Sequence, residues 1–139
     1  MHTSSIVIAA LCLAACGPAD PQECLLAVNT ECSVAYAPTY SNIFQNTLRG
    51  TCGGPGTSCH GSSGRMAGLV FSSQQESYDL LLGNTDGRVR VVAGDPDASL
   101  LMQRLECSSP SPRMPLNSDP LAANVRCAIA QWIKNGAQP

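Results

Sequence analysis

Residues 51–61 read Thr-Cys-Gly-Gly-Pro-Gly-Thr-Ser-Cys-His-Gly. In this stretch six residues separate Cys52 from Cys59, and His60 follows the second cysteine directly. The residues between the cysteines favour turns, because glycine tolerates left-handed backbone angles and proline presets one angle. The sequence therefore predicts a loop that carries two thiols and an imidazole. The only other histidine in the chain is His2, so His60 is the histidine to which a chemical role is assigned.

The chain as a whole is short and poor in large side chains. Of its 139 residues, 13% are charged and 4% are aromatic, and it contains 12 glycines and 10 prolines. That length allows one small domain, and so few aromatic residues leave its interior dependent on disulfides, a metal or a cofactor. The net charge of −2 and a single lysine, Lys134, argue against nucleic acid as a partner, since duplex binding needs a basic face.

The amino terminus carries an export signal. Residues 4–15 form an apolar run that is too short to span a membrane and is typical of a signal peptide. The run ends in Leu-Ala-Ala-Cys at 13–16, which resembles the lipobox of bacterial lipoproteins and implies that Cys16 is acylated. The alternative is an ordinary secretory signal with a coincidental cysteine. The segment before the run contains no lysine or arginine, which makes the export signal weaker than usual. Both interpretations predict an exported protein.

These features divide the chain into three parts. Residues 1–15 are predicted to be a lipoprotein signal peptide, 16–36 a lipidated amino terminus and tether, and 37–139 a folded domain. Several acyl chains on one residue give stable anchoring. The protein is therefore expected on the bacterial cell membrane or outer membrane, facing the periplasm or the exterior.

The cysteines outside the His60 loop predict disulfides. Six cysteines remain when Cys12 of the signal segment and Cys16 are set aside, and Cys52 and Cys59 are two of them. An even number of cysteines in an exported chain favours disulfide bonds, although six allow fifteen pairings. Local spacing suggests Cys24 with Cys32 and Cys107 with Cys127. The sequence does not fix this connectivity.

Apolar spacing and capping residues predict four short helices, wide loops and no real sheet, which is a mainly α fold. The first helix buries Ile43, Phe44 and Leu48, and the third buries Leu100, Leu101 and Leu105. A short extended piece covers 88–93. The predicted helices cover 38–49 closed by Gly50, 73–82 capped by Ser72 or Ser73, 97 or 99 to 105, and 119 or 120 to 134, the last with Val125, Ile129, Trp132 and Ile133 as its apolar stripe.

A cysteine followed by histidine suits one kind of cofactor chemistry. A thiol can add across a porphyrin vinyl group, and the adjacent imidazole can then bind the iron, normally within Cys-x-x-Cys-His. Met114 lies between Arg113 and Pro115 in a proline-rich loop, and its thioether suits the opposite face of the iron. Met102 is a weaker candidate for this ligand, because it lies on a predicted helix. Met66 lies only six residues after His60, which is too close to reach the opposite face of the iron easily.

The order of these segments resembles class I c-type cytochrome domains, and in particular the single-haem lipoprotein versions. The resemblance covers 37–138 and is carried by the helix with Phe44, the Cys-His loop, RVRVVAGDPDASLLMQRL at 88–105, RMP at 113–115 and IAQWIKNGA at 129–137. It implies a mainly helical shell around one haem c, with first and last helices crossing at Phe44 and Trp132. It further implies thioether bonds at Cys52 and Cys59, with His60 as proximal and Met114 as distal iron ligand.

The function implied is one-electron transfer with redox partner proteins of the envelope, not catalysis. The six-residue spacer leaves three outcomes open: two thioether bonds, one bond through Cys59, or a Cys52–Cys59 disulfide without haem. The last outcome would leave a disulfide-stapled surface lipoprotein that acts in binding. If Met114 moved away, the open iron position would permit peroxidase or ligand-sensing chemistry.

Other functional classes find little support in the sequence. Haem propionates could be neutralised by Arg65, Arg88 and Arg113. Arginine side chains are, however, ordinarily exposed to solvent without such a role. A hydrolase lacks a convincing triad or carboxylate pair. The glycine-rich loop has no following lysine and no preceding strand, which argues against phosphate binding.

Overall fold

The protein is seen here as a computed structural model that describes residues 27–54, 59–108 and 111–139. Cys16, Cys24 and the predicted signal segment 1–15 lie outside the described residues. Within them the fold is mainly helical, as predicted, and contains no strand, only an isolated bridge between Val92 and Asp95. The elements are α1 (Tyr40–Ile43) with a π-helical continuation (Phe44–Cys52), a 3₁₀ turn (Met66–Gly68), α2 (Gln74–Leu82), α3 (Leu100–Glu106) and α4 (Ala123–Lys134).

The first helix runs further than its sequence predicts. Thr39 caps α1 by accepting a hydrogen bond from the Asn42 amide, but Gly50 does not end the helix. The backbone instead widens into π-helical turns, and the Gly53 N–H bonds to the Leu48 carbonyl at 3.0 Å, five residues back. The wider turns keep the backbone hydrogen-bonded through the glycine. They extend the helix to Cys52.

The second helix matches its prediction closely, and the third does so in part. Ser73 accepts a hydrogen bond from the Glu76 amide at 3.4 Å, as its capping role predicts. At the third helix the Ser99 hydroxyl bonds to Val92 and Asp95 instead of capping. The helix buries Met102 and Leu105, whereas Leu100, which was predicted to be buried, is 40% exposed.

The last helix ends where predicted but begins later. It runs over Ala123–Lys134 and is followed by Gly136 at φ 96°, a left-handed angle that favours glycine. The start predicted at 119 or 120 is wrong, because residues 119–122 are not helical. Three of the four stripe residues are buried, Ile129, Trp132 and Ile133, and Val125 is partly buried.

The first and last helices cross through aromatic side chains. The rings of Tyr40 and Trp132 lie 5.2 Å apart, and Tyr40 also meets Tyr78 at 5.1 Å. Phe44 belongs to the same core cluster, but Tyr40, one turn earlier, is the aromatic ring against Trp132. The Tyr40 hydroxyl is 2.5 Å from Ser77 Oγ, which satisfies a polar group inside the core.

The segment before the first helix is bound along α4. The Gln131 side-chain amide donates to the carbonyls of Thr30 and Cys32 at 3.1 and 3.0 Å. Cys32 forms a disulfide with Cys127 over a sequence separation of 95. The pairings suggested by spacing, Cys24 with Cys32 and Cys107 with Cys127, are therefore wrong, because the chain folds back on α4 before the first helix. Cys107 is disulfide-bonded as well.

The part of the tether predicted over 16–36 that the structure describes is thus docked on the domain. Among the described residues, no helix is long and apolar enough to cross a membrane.

Candidate functional site

An apolar cavity lies between the first helix, the His60 loop and α3. Three of the residues predicted to bind a cofactor line it, Cys52, His60 and Met114, although they come from separate segments of the chain. The remaining wall is mostly aliphatic or aromatic and consists of Leu48, Ala67, Leu69, Phe71, Leu81, Arg90, Leu100, Leu101, Arg104 and Leu105. Cys59, the fourth predicted residue, is exposed beside His60 and does not line the cavity.

Backbone hydrogen bonds fix the position of His60 on both sides. The His60 N–H donates to the Cys52 carbonyl at 3.2 Å, and the Phe71 N–H donates to the His60 carbonyl at 2.7 Å. The imidazole Nδ1 lies 3.3 Å from the Leu69 carbonyl oxygen. A carbonyl only accepts, so this bond requires the proton on Nδ1 and leaves Nε2 as the nitrogen with a free lone pair. That tautomer is the one suited to binding a metal through Nε2.

A glycine makes this close backbone packing possible. A Cβ added at Gly53 would lie 2.4 Å from the Phe71 Cβ, 2.9 Å from the Phe71 Cα and 3.0 Å from the His60 carbonyl oxygen. Two of these three atoms belong to the backbone and cannot turn aside. The last helical turn and the histidine segment can therefore meet here only through glycine.

The two cysteines of the loop are both free thiols in the structure, so the disulfide alternative is not adopted. Cys52 is the last residue of the π-helical segment and is partly buried. Burial, with a smaller contribution from the nearby Cys59 thiol, raises the pKa of Cys52 to about 11. Cys52 is thus held as a neutral thiol at the cavity wall, whereas Cys59 is open to solvent.

Met114 is the one methionine of the described residues that lines the cavity. Its backbone N–H donates to the Arg104 carbonyl at 2.6 Å, which ties the loop after α3 to the end of that helix. Met102 is fully buried in the core and Met66 is 57% exposed. The sequence-based preference for Met114 over these two agrees with where the side chains lie.

None of the three arginines singled out in the sequence lines the cavity. Arg65 pairs with Glu76 at 3.1 Å on the surface, and Arg88 donates to the Ala67 carbonyl. Arg113 donates to the Ser118 carbonyl and lines a separate open pocket beside Pro112 and Leu116. Its Nη1 atom is buried and has no hydrogen-bond partner among the residues that the structure describes.

The arginines on the cavity wall are Arg90 and Arg104, which sequence reasoning missed. Arg90 is buried and forms a 2.8 Å ion pair with Asp86, four residues earlier. Hydrogen bonds to that guanidinium and to the Arg88 amide lower the pKa of the Asp86 carboxyl to about 2. The available signal was the position of Arg90 in the apolar run Val89-Arg90-Val91-Val92, where a lone charge needs a partner.

The wall chemistry fits an iron porphyrin better than a bare metal ion. No group of three His, Cys, Asp or Glu side chains within 27–54, 59–108 and 111–139 could hold an ion directly. An imidazole, a thioether and a thiol on apolar walls are the donors expected around haem, whose ring needs apolar contact and whose iron accepts histidine and methionine.

Comparison with known proteins supports the same type of domain. A family model described as Planctomycete cytochrome C matches residues 57–116, a stretch that holds Cys59, His60 and Met114. The match covers less than half of the chain and supports a cytochrome c-type domain. No curated protein and no solved structure matches the chain.

The Gly53 contact can be tested by adding one methyl group. Gly53→Ala is expected to lower the free energy of unfolding by about 1–3 kcal/mol, because the methyl overlaps backbone atoms of Phe71 and His60. The matched control is Gly50→Ala, since a Cβ at Gly50 meets nothing within 4 Å, and it should leave stability unchanged or raise it by up to about 1 kcal/mol, because alanine is favoured over glycine within a helix. Urea unfolding measures both, and equal stability of the two variants would contradict the close packing.

The two thiols should differ in reactivity in chain produced without haem-attachment machinery. Alkylation proceeds through the thiolate, so the raised pKa of Cys52 predicts slow labelling at neutral pH that accelerates until the pH reaches about 11. Cys59 is exposed and should be labelled first. Peptide mass spectrometry after timed iodoacetamide treatment measures the two rates, with urea-unfolded chain as the control. Equal rates in the folded chain at neutral pH would contradict the burial of Cys52.

Proposed function

We propose that the protein is a monohaem c-type cytochrome that carries single electrons outside the cytoplasm. The observation that supports this most strongly is the convergence of Cys52, His60 and Met114 on one apolar cavity. The match of residues 57–116 to a cytochrome family model supports it independently. The proposal assigns one haem c to this cavity.

In this proposal His60 and Met114 are the two residues that would bind the iron. His60 is prepared for that role because its Nδ1 is engaged with Leu69 O, which leaves Nε2 to bind. Met114 is held in its loop by the bond to Arg104. When bound, haem supplies a one-electron iron couple whose potential is raised by a methionine ligand.

Cys52 and Cys59 supply the thiols for covalent attachment. Cys52 lies on the cavity wall, and Cys59 immediately precedes the histidine ligand. The six-residue spacer gives the chain between them room to loop out and return. Thioether bonds at both cysteines are the proposed state, and attachment through Cys59 alone is the outcome to be distinguished by experiment.

An electron carrier is favoured over a catalyst because two protein side chains, His60 and Met114, would bind the iron. Substrate turnover needs an iron position open to substrate, which two protein ligands would not leave. The mostly aliphatic and aromatic cavity wall would also keep water from the group, which favours electron exchange as the activity.

We further propose that the domain is exported and anchored through acylated Cys16, where it exchanges electrons with redox proteins of the envelope. The docking of residues 28–35 on the folded domain supports a short remaining tether. The Val28 amide bonds to Asp97 and the Ala35 amide to the Asn124 carbonyl, so only the chain before Val28 is left to span the distance to an anchor.

Ligand assignment is tested with two methionine variants made in a host that attaches haem. Met114→Ala should abolish the weak long-wavelength absorption band of the oxidised protein that indicates methionine on iron, and should lower the reduction potential because a methionine ligand raises it. Met66→Ala is the matched control, since Met66 is exposed and should leave band and potential unchanged. Visible spectroscopy and potentiometric titration measure both. A Met114→Ala protein with the band retained would contradict the assignment.

A further inference from the structure

We propose that Arg90, held by Asp86, is a positioning residue for the His60 imidazole. It fixes the turn over Met66–Gly68, and this turn places the Leu69 carbonyl that accepts the His60 Nδ1 proton. The inference deepens the proposed function, because it takes His60 as the iron ligand.

The Arg90 guanidinium is fully engaged by the protein at both terminal nitrogens. Nη1 donates to the Leu80 carbonyl at 2.5 Å and to the Arg88 carbonyl at 3.1 Å. Nη2 donates to the Ala67 carbonyl at 3.0 Å, and both nitrogens bond to the Asp86 carboxylate. With its side chain 7% exposed, Arg90 joins α2, the 86–88 turn and the histidine loop.

The turn that Arg90 contacts needs external support. Arg65 and Ala67 adopt left-handed backbone angles, φ 44° and 54°, which side-chain-bearing residues rarely adopt. The Ala67 carbonyl accepts hydrogen bonds from both Arg88 and Arg90. By holding Ala67 in this unfavourable conformation, Arg90 also fixes the position of the residues that neighbour Ala67 in the chain.

Hydrogen bonds connect the residues that neighbour Ala67 to the segment that carries His60. The Met66 N–H donates to the Cys59 carbonyl at 2.8 Å, and the Leu69 N–H donates to the Met66 carbonyl at 3.1 Å. The Leu69 carbonyl then accepts from His60 Nδ1 at 3.3 Å. A single residue, Gly68, therefore separates the carbonyl that Arg90 holds from the carbonyl that orients the imidazole.

Asp86 orients Arg90 in turn. Its carboxylate receives the two terminal nitrogens of the guanidinium, a geometry that lysine cannot reproduce. The same carboxylate accepts a hydrogen bond from the Arg88 backbone N–H at 3.0 Å. Asp86 therefore holds the backbone of Arg88 as well as the side chain of Arg90. Loss of its charge leaves the buried guanidinium short of a partner.

The experiment follows the proton on His60 Nδ1 in full-length protein made in a haem-attaching host and reduced before measurement. Nitrogen-15 histidine labelling and NMR detect that proton whether or not haem is bound, because His60 is the only histidine outside the amino-terminal signal segment. The test variants are Arg90→Lys and the milder Asp86→Asn. The matched control is Glu76→Gln, which removes the surface ion pair of Arg65 on the same loop.

The natural chain should show a proton on Nδ1 that exchanges slowly with solvent. Both test variants should exchange it about tenfold faster, the effect of weakening one hydrogen bond, while Glu76→Gln should not. Unchanged exchange in folded Asp86→Asn, or a natural chain protonated on Nε2 when haem is absent, would overturn the inference. A haem stain on the same samples tests the proposed function separately, since lack of haem leaves the NMR measurement intact.

Discussion

Close backbone packing between the end of the first helix and the histidine segment is the constraint on which the rest of the site depends. Gly53 lies so near Phe71 and His60 that a single methyl group would overlap backbone atoms. Two hydrogen bonds, from His60 to Cys52 and from Phe71 to His60, run through the same contact. They fix the imidazole relative to the helix that carries Cys52. The residues that they join, Cys52, His60 and Phe71, all line the cavity.

The π-helical stretch belongs to the same arrangement. The π-helical segment carries the chain past Gly50, and it ends with a bond between backbone groups five residues apart, from the Gly53 N–H to the Leu48 carbonyl. Cys52 and Leu48 then both line the cavity. The bond between the Met114 N–H and the Arg104 carbonyl ties the methionine loop, which also lines the cavity, to α3. The donor groups of the proposed haem site thus rest on the first helix, on a loop held by arginines and on the chain after α3.

Local sequence signals predicted most of the fold, because they act within a few residues. Ser73 marks the start of α2, and Ile129, Trp132 and Ile133 mark the buried face of α4. The sequence also selected His60, Cys52 and Met114, which the structure brings to one cavity. It failed where distant segments meet. The Cys32–Cys127 disulfide depends on a chain that folds back along α4, and the role of Arg90 depends on carbonyls at Ala67 and Leu80 that no spacing rule connects to it.

The central claim is that this cavity holds one covalently attached haem. It is tested most directly by the intact mass of the protein under denaturing conditions, after production in a host with haem-attachment machinery. The predicted mass is that of the processed chain, beginning at acylated Cys16, plus one haem. Cys52→Ala and Cys59→Ala variants, stained for haem on denaturing gels, then show whether one thiol or both carry it. A processed chain without the added mass of haem, and with both thiols available for alkylation, would contradict the claim.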